Sequence, residues 1–290
     1  ISLTIATGGR GGVFYPLGVE LSRLYTTGVP GVVARIESGG SSQNVKAVEE
    51  GRAHLGFTQA DVAYAAYRRG TDGDPHPYGQ LRGVAMLWIN IMQVAVPAKS
   101  TINTIDDLRG RRVLVGTPGS GTETLARIVL ESYALSYEDL RPEFKGFVET
   151  VAMMRDGEAD AAFIGAGLPT AAIVELSAAA DLRFIPIPRE QVTMMRAQYP
   201  FLQPLLVPRG TYTWLAHDIE TVGVSNLLLC RKDLDEELVY RLTRALFDAL
   251  PELRASVAAV RLIDLEHAPA TPIPLHPGAA RYYREREITQ

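Results

Sequence analysis

The sequence of 290 residues has very little cysteine, and Cys230 is its single thiol. One cysteine excludes an intramolecular disulfide, and the sequence has no apolar run of the ~18 residues that a membrane-spanning helix needs. Excess positive charge is also missing, since the formal net charge is −4, which argues against nucleic acid as a partner. With 47% hydrophobic residues, the chain can nevertheless build the core of a globular protein.

The motifs of nucleotide-binding and hydrolytic enzymes are missing too. The glycine loop at residues 8–12 is followed by Val-Phe-Tyr, whereas a Walker loop ends in Lys-Ser or Lys-Thr and a dinucleotide fingerprint has a third glycine. The five histidines are scattered and form no metal-binding pair. These absences predict a protein that is not an enzyme and uses no metal or cofactor. An enzyme that uses the same loops on phosphate is the less favoured alternative.

What the sequence does contain is a repeated order of strand, loop and helix. Short apolar stretches are followed by loops rich in glycine or serine and then by apolar residues at helical spacing, such as Leu17, Leu21 and Leu24. Strands are predicted at residues 3–6, 31–36, 54–58, 87–96, 111–116, 159–164 and 221–231. Strands that alternate with helices predict an α/β fold.

The order of these segments predicts two domains. Residues 51–57 resemble residues 157–163, since each segment ends a helix at a glycine and begins a buried strand. The long apolar strands at 87–96 and 221–231 would let the chain leave one domain and return to it. We therefore expect a discontinuous first domain of residues 1–96 and 223–290, a second domain of residues 97–222, and hinge strands near residues 90–98 and 219–228.

Three further expectations concern helices. Asp61 is expected to cap a helix over residues 62–69, because a short acidic side chain can accept hydrogen bonds from the first N–H groups of a helix. Asp233 is expected to cap one long amphipathic helix over residues 234–253. A last short helix, residues 279–287, is expected to lie on the surface.

Three polar loops, residues 7–12, 38–44 and 117–122, each follow a strand and open a helix. Unpaired N–H groups at a helix start, with the helix dipole, favour a negative group by about 0.3–1 kcal/mol. One such loop alone is more simply interpreted as a tight turn. Together, rich in hydroxyls and poor in catalytic side chains, they indicate a binding cleft for a carboxylate or a phosphate. Tyr15 and Trp88 are candidate walls, with core packing as the alternative.

Several of these segments resemble one known family over nearly the whole chain. The longest are Thr-Gly-Gly-Arg-Gly-Gly-Val-Phe-Tyr-Pro at 7–16, Ser-Gly-Gly-Ser-Ser-Gln-Asn at 38–44, Gly-Phe-Thr-Gln-Ala-Asp-Val-Ala-Tyr at 56–64 and Val-Gly-Thr-Pro-Gly-Ser-Gly-Thr-Glu at 115–123. Shorter ones follow in order at 157–160, 210–212, 221–224 and 272–278. The sequence therefore resembles the TAXI family of solute receptors, the extracytoplasmic binding subunits of a class of TRAP transporters.

The resemblance implies a two-domain, type II periplasmic-binding-protein fold that closes like a flytrap on a ligand held in the cleft between its domains. It implies a receptor that delivers a small organic anion or amino acid, such as glutamate, glutamine or a related carboxylate, to the permease subunits of an ion-gradient-driven TRAP transporter. The alternative is a receptor that reports its ligand to a membrane signalling protein. We expect a periplasmic monomer, and the first residue, Ile1 rather than Met, is expected after removal of a signal peptide.

The resemblance also implies a set of ligand-binding residues. In the first domain they are Gly9, Tyr15, Ser38, Ser41, Asn44 and Gln59. In the second domain they are Ser120, Gly121 and Thr122, with Gly165 in a nearby segment. The hydroxyls of Ser120 and Thr122 are expected to hold one polar end of the ligand. The side chains of Tyr15, Asn44 and Gln59 are expected to hold the other end.

The chain departs from the family pattern at three places that bear on the ligand. Trp88 begins the stretch Trp-Ile-Asn-Ile-Met-Gln, and would make the pocket more aromatic if it faced the ligand. Arg209 replaces a glycine, and Arg10 lies inside the first loop. Either arginine would favour a dicarboxylate if it pointed inward, but solvent exposure is the more common state of arginine.

Overall fold

The computed structural model describes residues 1–10, 12–71 and 73–288. It has the mixed α/β architecture predicted from the sequence. Its strands are β1 (Ser2–Ala6), β2 (Val33–Glu37), β3 (Leu55–Gln59), β4 (Leu81–Pro97), β5 (Arg112–Leu114), β6 (Arg141–Glu143), β7 (Ala161–Ala166), β8 (Leu182–Ile185), β9 (Leu202–Val207) and β10 (Ile219–Arg231). Its α-helices are α1 (Phe14–Gly28), α2 (Ser41–Glu49), α3 (Ala60–Arg69), α4 (Gly121–Ser132), α5 (Phe147–Arg155), α6 (Ala171–Ala179), α7 (Arg189–Met195), α8 (Glu236–Asp248), α9 (Leu250–Ser256) and α10 (Pro277–Arg284).

The chain divides into two compact units. The first comprises Ile1–Trp88 and Ser225–Gln290, and the second comprises Ile89–Val224. Strands β4 and β10 each contribute residues to both units. The hinge strands expected near residues 90–98 and 219–228 stay a prediction.

The sheet of the first unit places three helix starts at one edge. Strand β1 pairs in parallel with β2 on one side and with β3 on the other. The last part of β10 runs antiparallel to β3, with Asn226 opposite Gln59 and Cys230 opposite Leu55. Because β1, β2 and β3 are parallel, their carboxyl ends lie at the same edge. Helices α1, α2 and α3 begin there.

Helical periodicity explains how the first unit buries its helices. Leu17, Leu21 and Tyr25 of α1 are each fully buried, and they recur at a spacing of four residues along one face. The apolar face of α8 joins the same core through Leu242 and Leu246. This core also contains Cys230.

The expectation that the last helix lies on the surface is wrong. Tyr282 and Tyr283 of α10 are each 1% exposed. Their rings lie 5.6 Å and 6.0 Å from that of Phe247, measured between centroids. The hydroxyl of Tyr283 donates a hydrogen bond of 2.8 Å to the carbonyl of Val84. Each tyrosine carries a polar hydroxyl, but its ring is large and apolar enough for a core residue.

The single helix expected over residues 234–253 is also wrong. Helix α8 ends at Asp248, and α9 begins at Leu250 with Pro251 in its first turn. A proline inside a continuous helix removes a backbone hydrogen bond and clashes with the preceding turn, whereas a first-turn proline loses nothing. The N-cap is Asp235, not Asp233: its Oδ1 accepts from the N–H of Leu238 at 2.9 Å.

The strands of the second unit pair in mixed directions. Strand β5 is parallel to β6 and to β7, and β7 is antiparallel to the later part of β4. Strand β8 also pairs with β4, and β9 pairs with the first part of β10. Helices α5 and α6 pack their apolar residues in a core that includes Val151, Ile164 and Ile173. Within the described ranges, no helix is both long and apolar enough to cross a membrane.

Candidate functional site

Three helix N-termini of the first unit offer backbone N–H groups at one sheet edge. The N-cap positions of α1, α2 and α3 are Val13, Gly40 and Gln59. Within the described chain, no side chain at these three positions makes a capping hydrogen bond, and Gly40 has none to offer. The first N–H groups of a helix have no partner within the helix, and with the helix dipoles they give this edge a partial positive charge, which favours an anion.

Asn44, a predicted ligand contact, ties the strands of the first unit together. Its Nδ2 lies 2.8 Å from the carbonyl of Thr7, 2.7 Å from that of Phe57 and 3.3 Å from that of Ala6. The side chain is 1% exposed. The amide protons of Asn44 are therefore used inside the protein, on the strands β1 and β3 that precede the helix starts.

The two predicted serine contacts of the first unit also have partners in the protein. Ser38 Oγ donates a 3.1 Å hydrogen bond to the carbonyl of Gly8, and so holds the loop after β2 against the loop after β1. Ser41 Oγ accepts from the backbone N–H of Gln59 at 3.3 Å. Both hydroxyls shape the sheet edge, and their role toward a ligand stays a prediction.

The side chain of Gln59, by contrast, makes no such contacts. Gln59 is fully buried, and neither Nε2 nor Oε1 has a hydrogen-bond partner among the described residues. A buried amide without partners costs about 1–3 kcal/mol, and such groups in native proteins call for an explanation. Among the predicted contacts of the first unit, Gln59 thus has a side chain whose polar atoms are not used by the described protein, and its role toward a ligand stays a prediction.

Asp61 does not cap α3, contrary to the expectation from its sequence. The helix begins at Ala60, so that Asp61 lies in the first turn and Gln59 occupies the N-cap position. Asp61 is 9% exposed, and its Oδ1 has no hydrogen-bond partner in the described chain. Burial raises the pKa of its carboxyl to about 6, against a smaller opposite effect of the backbone N–H groups of Val62 and Asp61.

The glycine loop after β1 is exposed at its tip. A Cβ added at Gly9 would meet nothing within 4 Å, so the backbone there is open to close approach. Tyr15 is half-buried at the start of α1, and the exposed guanidinium of Arg10 lies 5.7 Å from its ring centroid. Gly11 of this loop lies outside the described residues. The geometry leaves Gly9 and Tyr15 as candidate contacts.

Trp88 is part of the aromatic core of the first unit. It is fully buried, and its ring centroid lies 5.8 Å from that of Phe14 and 6.4 Å from that of Phe57. Its carbonyl accepts a 3.1 Å hydrogen bond from Asn226 Nδ2. These contacts are those of a packed core side chain, and a contact between Trp88 and a ligand stays a prediction.

The predicted contacts of the second unit lie at the start of α4. Ser120 is the N-cap, and its Oγ accepts from the N–H of Glu123 at 3.1 Å. Gly121 is the first residue of the helix. Thr122 Oγ1 both donates to the carbonyl of Gly165 at 3.2 Å and accepts from its N–H at 3.3 Å. The structure thus brings Thr122 and Gly165 together, although they are far apart in sequence.

Sequence reasoning missed a buried polar network in the second unit. The hydroxyl of Tyr212 donates to Gln93 Oε1 and accepts from the N–H of Thr170 at 3.0 Å. Gln93 Nε2 donates to Thr170 Oγ1 at 2.8 Å. All three side chains are buried. A glutamine inside the apolar strand β4 was the one signal that could have indicated this network.

Arg209 lies in solvent, as the general exposure of arginine suggested. The residue is exposed, and its backbone N–H donates to Asp218 Oδ1 at 2.7 Å. Arg10 is exposed as well. Neither guanidinium is buried beside the polar groups described above.

Comparison with solved structures identifies the fold. A protein assigned to L-cystine ABC transport in Listeria monocytogenes matches with a TM-score of 0.56 and 13% identity, over 92% of this chain and 98% of that one. The alkanesulfonate-binding protein of Xanthomonas axonopodis pv. citri matches with a TM-score of 0.52 and 16% identity, over 100% of this chain and 94% of that one. The fold is that of periplasmic binding proteins, as the sequence resemblance implied.

A family model adds a relationship of sequence to this likeness of fold. The model of the NMT1-like family matches residues 5–286, which is nearly the whole chain. The match includes the segments that lead into the helix starts of the first unit and the α4 start of the second. The chain therefore belongs to the NMT1-like family.

Proposed function

We propose that this protein is an extracytoplasmic solute receptor that binds a small organic anion or amino acid and delivers it to a membrane permease. The observation that carries the proposal is the edge of the first unit, where α1, α2 and α3 begin without side-chain caps. Neutral N–H donors and helix dipoles bind an anion without forming a permanent ion pair. That suits a receptor, because its ligand must also be released.

The solute we propose is a carboxylate such as glutamate, glutamine or a related acid. This choice rests on the TAXI-like segments of the sequence. Proteins of the same fold are named for cystine and for alkanesulfonates. Backbone donors recognise the oxygens of either acid group, so carboxylates and sulfonates are both tested below.

A charge substitution on α2 tests the site and the function together. Ser42 lies in the first turn of α2, where an aspartate would be stabilised by the dipole by about 0.3–1 kcal/mol and would compete with a bound anion. Ser42→Asp should weaken anion binding at least tenfold, while the uncharged isostere Ser42→Asn should stay within threefold of wild type. Equal binding by the two variants would contradict the assignment of this edge.

A thermal-shift screen of carboxylates, sulfonates and amino acids identifies the ligand class. A ligand at 100 times its Kd should stabilise the fold by about 2.7 kcal/mol, a shift of roughly 5 °C or more for a chain of this size. Nucleotides serve as the control. Stabilisation by nucleotides alone would overturn the receptor proposal.

The transporter we propose is of the TRAP type, so that an ion gradient drives uptake. The test uses membrane vesicles from the source organism, with the receptor and radiolabelled solute added outside. Uptake should require an ion gradient and should continue without ATP. Uptake that requires ATP would assign the receptor to an ABC transporter instead.

A further inference from the structure

The junction between β3 and α3 carries polar atoms that the fold itself does not use. Gln59 Nε2 and Oε1 and Asp61 Oδ1 have no hydrogen-bond partner in the described ranges of the chain. Gln59 is fully buried, and Asp61 is 9% exposed. These atoms lie two residues apart on one segment of the first unit.

Neighbouring polar side chains show that this is not a general feature of the edge. Asn44 Nδ2 is within 3.3 Å of three backbone carbonyls. Thr58 Oγ1 donates to the carbonyl of Ser41 at 3.3 Å, and Ser41 Oγ accepts from the N–H of Gln59. The backbone of Gln59 is therefore held in place, while both polar atoms of its side chain and one carboxylate oxygen of Asp61, Oδ1, are left without a partner in the described chain.

A bound group that satisfies these atoms must supply hydrogen-bond donors, and charged donors suit the carboxylate best. A buried carboxylate is stabilised most by a cationic donor, because charge-assisted hydrogen bonds are about twice as strong as neutral ones. Gln59 Oε1 needs a donor as well, and Gln59 Nε2 needs an acceptor. A primary ammonium supplies the donors, and an acid group on the same molecule supplies the acceptor.

We propose that Gln59 and Asp61 recognise the ammonium group of the solute, so that the receptor selects amine-bearing acids over acids without an amine. This inference rests on the proposed receptor function and narrows its substrate class. The uncapped helix starts bind the acid group, and the β3–α3 junction adds the requirement for an amine. A simple dicarboxylate would leave Asp61 buried beside further negative charge, which is unfavourable.

Matched pairs of solutes test the preference directly. The pairs are L-glutamate with glutarate, L-glutamine with glutaramate, and taurine with ethanesulfonate, and each pair differs only in the ammonium group. Binding is measured by titration calorimetry at pH 8, where the Asp61 carboxyl is ionised. In at least one pair, the amine-bearing member should bind tenfold or more tightly than its partner.

Variants assign that preference to the two residues. Asp61→Asn keeps the size of the side chain and removes its charge, and it should reduce the preference to less than threefold. Gln59→Met removes both unpartnered atoms at similar volume and should weaken the amine-bearing solute at least fivefold. Asp248→Asn is an exposed control on α8 of the same unit. It should change the Kd of neither the amine-bearing solute nor its partner by more than twofold.

The outcomes separate this inference from the function on which it rests. If none of the acids binds, the receptor function and the amine assignment are both wrong. If acids bind but the members of each pair bind equally, or if Asp61→Asn keeps the tenfold preference, the receptor function stands and the amine assignment is wrong. Melting curves of each variant confirm that the fold is intact before binding is compared.

Discussion

Thr122 and Gly165 exchange two hydrogen bonds between the first turn of α4 and the end of β7. The threonine hydroxyl donates to the glycine carbonyl at 3.2 Å and accepts from the glycine N–H at 3.3 Å. Thr122 is 5% exposed. The one proton of this hydroxyl is thus used within the second unit, and Thr122 positions the start of α4 whatever its role toward a ligand.

Thr122→Val should destabilise the protein by about 1–3 kcal/mol. Valine has nearly the shape of threonine but leaves both the N–H and the carbonyl of Gly165 without this partner, and buried unsatisfied groups cost about that much. Thr122→Ser keeps the hydroxyl and is the matched control. Urea unfolding measures both variants. A valine variant as stable as the serine variant would show that the exchange contributes nothing.

Asn44→Ala should also lower the free energy of unfolding, by roughly 2 kcal/mol or more, because it leaves buried carbonyls without their donor. Asn103→Ala provides the comparison, since the Asn103 amide makes an exposed hydrogen bond of 3.1 Å to the carbonyl of Thr101. That change should cost less than about 0.5 kcal/mol. Equal losses from the two substitutions would argue against a structural role for Asn44.

A pair of glycine substitutions separates crowding from backbone strain at the α4 loop. Gly116 has a φ of 91°, and a Cβ added there would lie 2.9 Å from Ser120 Oγ and 3.1 Å from the nitrogen of Glu123. Gly110 has a φ of 72°, but nothing lies within 4 Å of its added Cβ. Gly110→Ala should cost about 1 kcal/mol from the left-handed backbone alone.

Gly116→Ala should cost at least about 1–2 kcal/mol more than Gly110→Ala, because it also displaces the cap of α4. Differential scanning calorimetry gives both values. If the two variants have the same melting temperature, the loop accommodates the added methyl group at Gly116. The position of Ser120 would then not depend on its close approach to Gly116.

The pKa of Asp61 predicts how the stability of the ligand-free protein depends on pH. Burial raises this pKa from 3.8 to about 6, so the folded state binds a proton more tightly than the unfolded state. The contribution of Asp61 to the free energy of unfolding is most favourable below pH 4. It is lost as the pH rises from about 4 to 6, by up to about 3 kcal/mol.

Subtracting the stability of Asp61→Asn from that of wild type at each pH isolates this contribution. The difference should fall between pH 4 and 6 and stay constant above pH 7. Denaturant unfolding in a pH series measures it. Asp264→Asn, which removes an exposed carboxyl whose pKa is lowered by His267, should give a difference of opposite slope. A flat difference for Asp61 would show that its carboxyl is solvated.

Periodicity predicted much of the fold and failed where one residue decided the outcome. The apolar spacing of Leu17 and Leu21 predicted α1 and its buried face. It could not show that Pro251 would start a new helix, because the apolar repeat continues through Leu250. Nor could it show that Tyr282 is a core residue, since a tyrosine has an apolar ring and a polar end.

The loops of the candidate site could be predicted from the sequence. Which of their side chains form hydrogen bonds within the protein could not. The family resemblance implied Ser38, Asn44 and Gln59 alike, because each lies in a segment that resembles the TAXI family. A side chain in these loops forms hydrogen bonds within the protein only where other strands bring backbone groups within reach. The network of Gln93 with Tyr212 was missed for the same reason, as it joins residues 119 positions apart.

Because its single thiol is buried, the protein is well suited to site-specific labelling at an introduced cysteine. Cys230 is fully buried on β10 opposite Leu55, and burial raises its pKa far above that of a free cysteine. A thiolate is the nucleophile that attacks a maleimide, so the buried thiol is protected and an introduced surface cysteine can carry the fluorophore alone. Slow modification of Cys230 itself then times the global opening of the first unit.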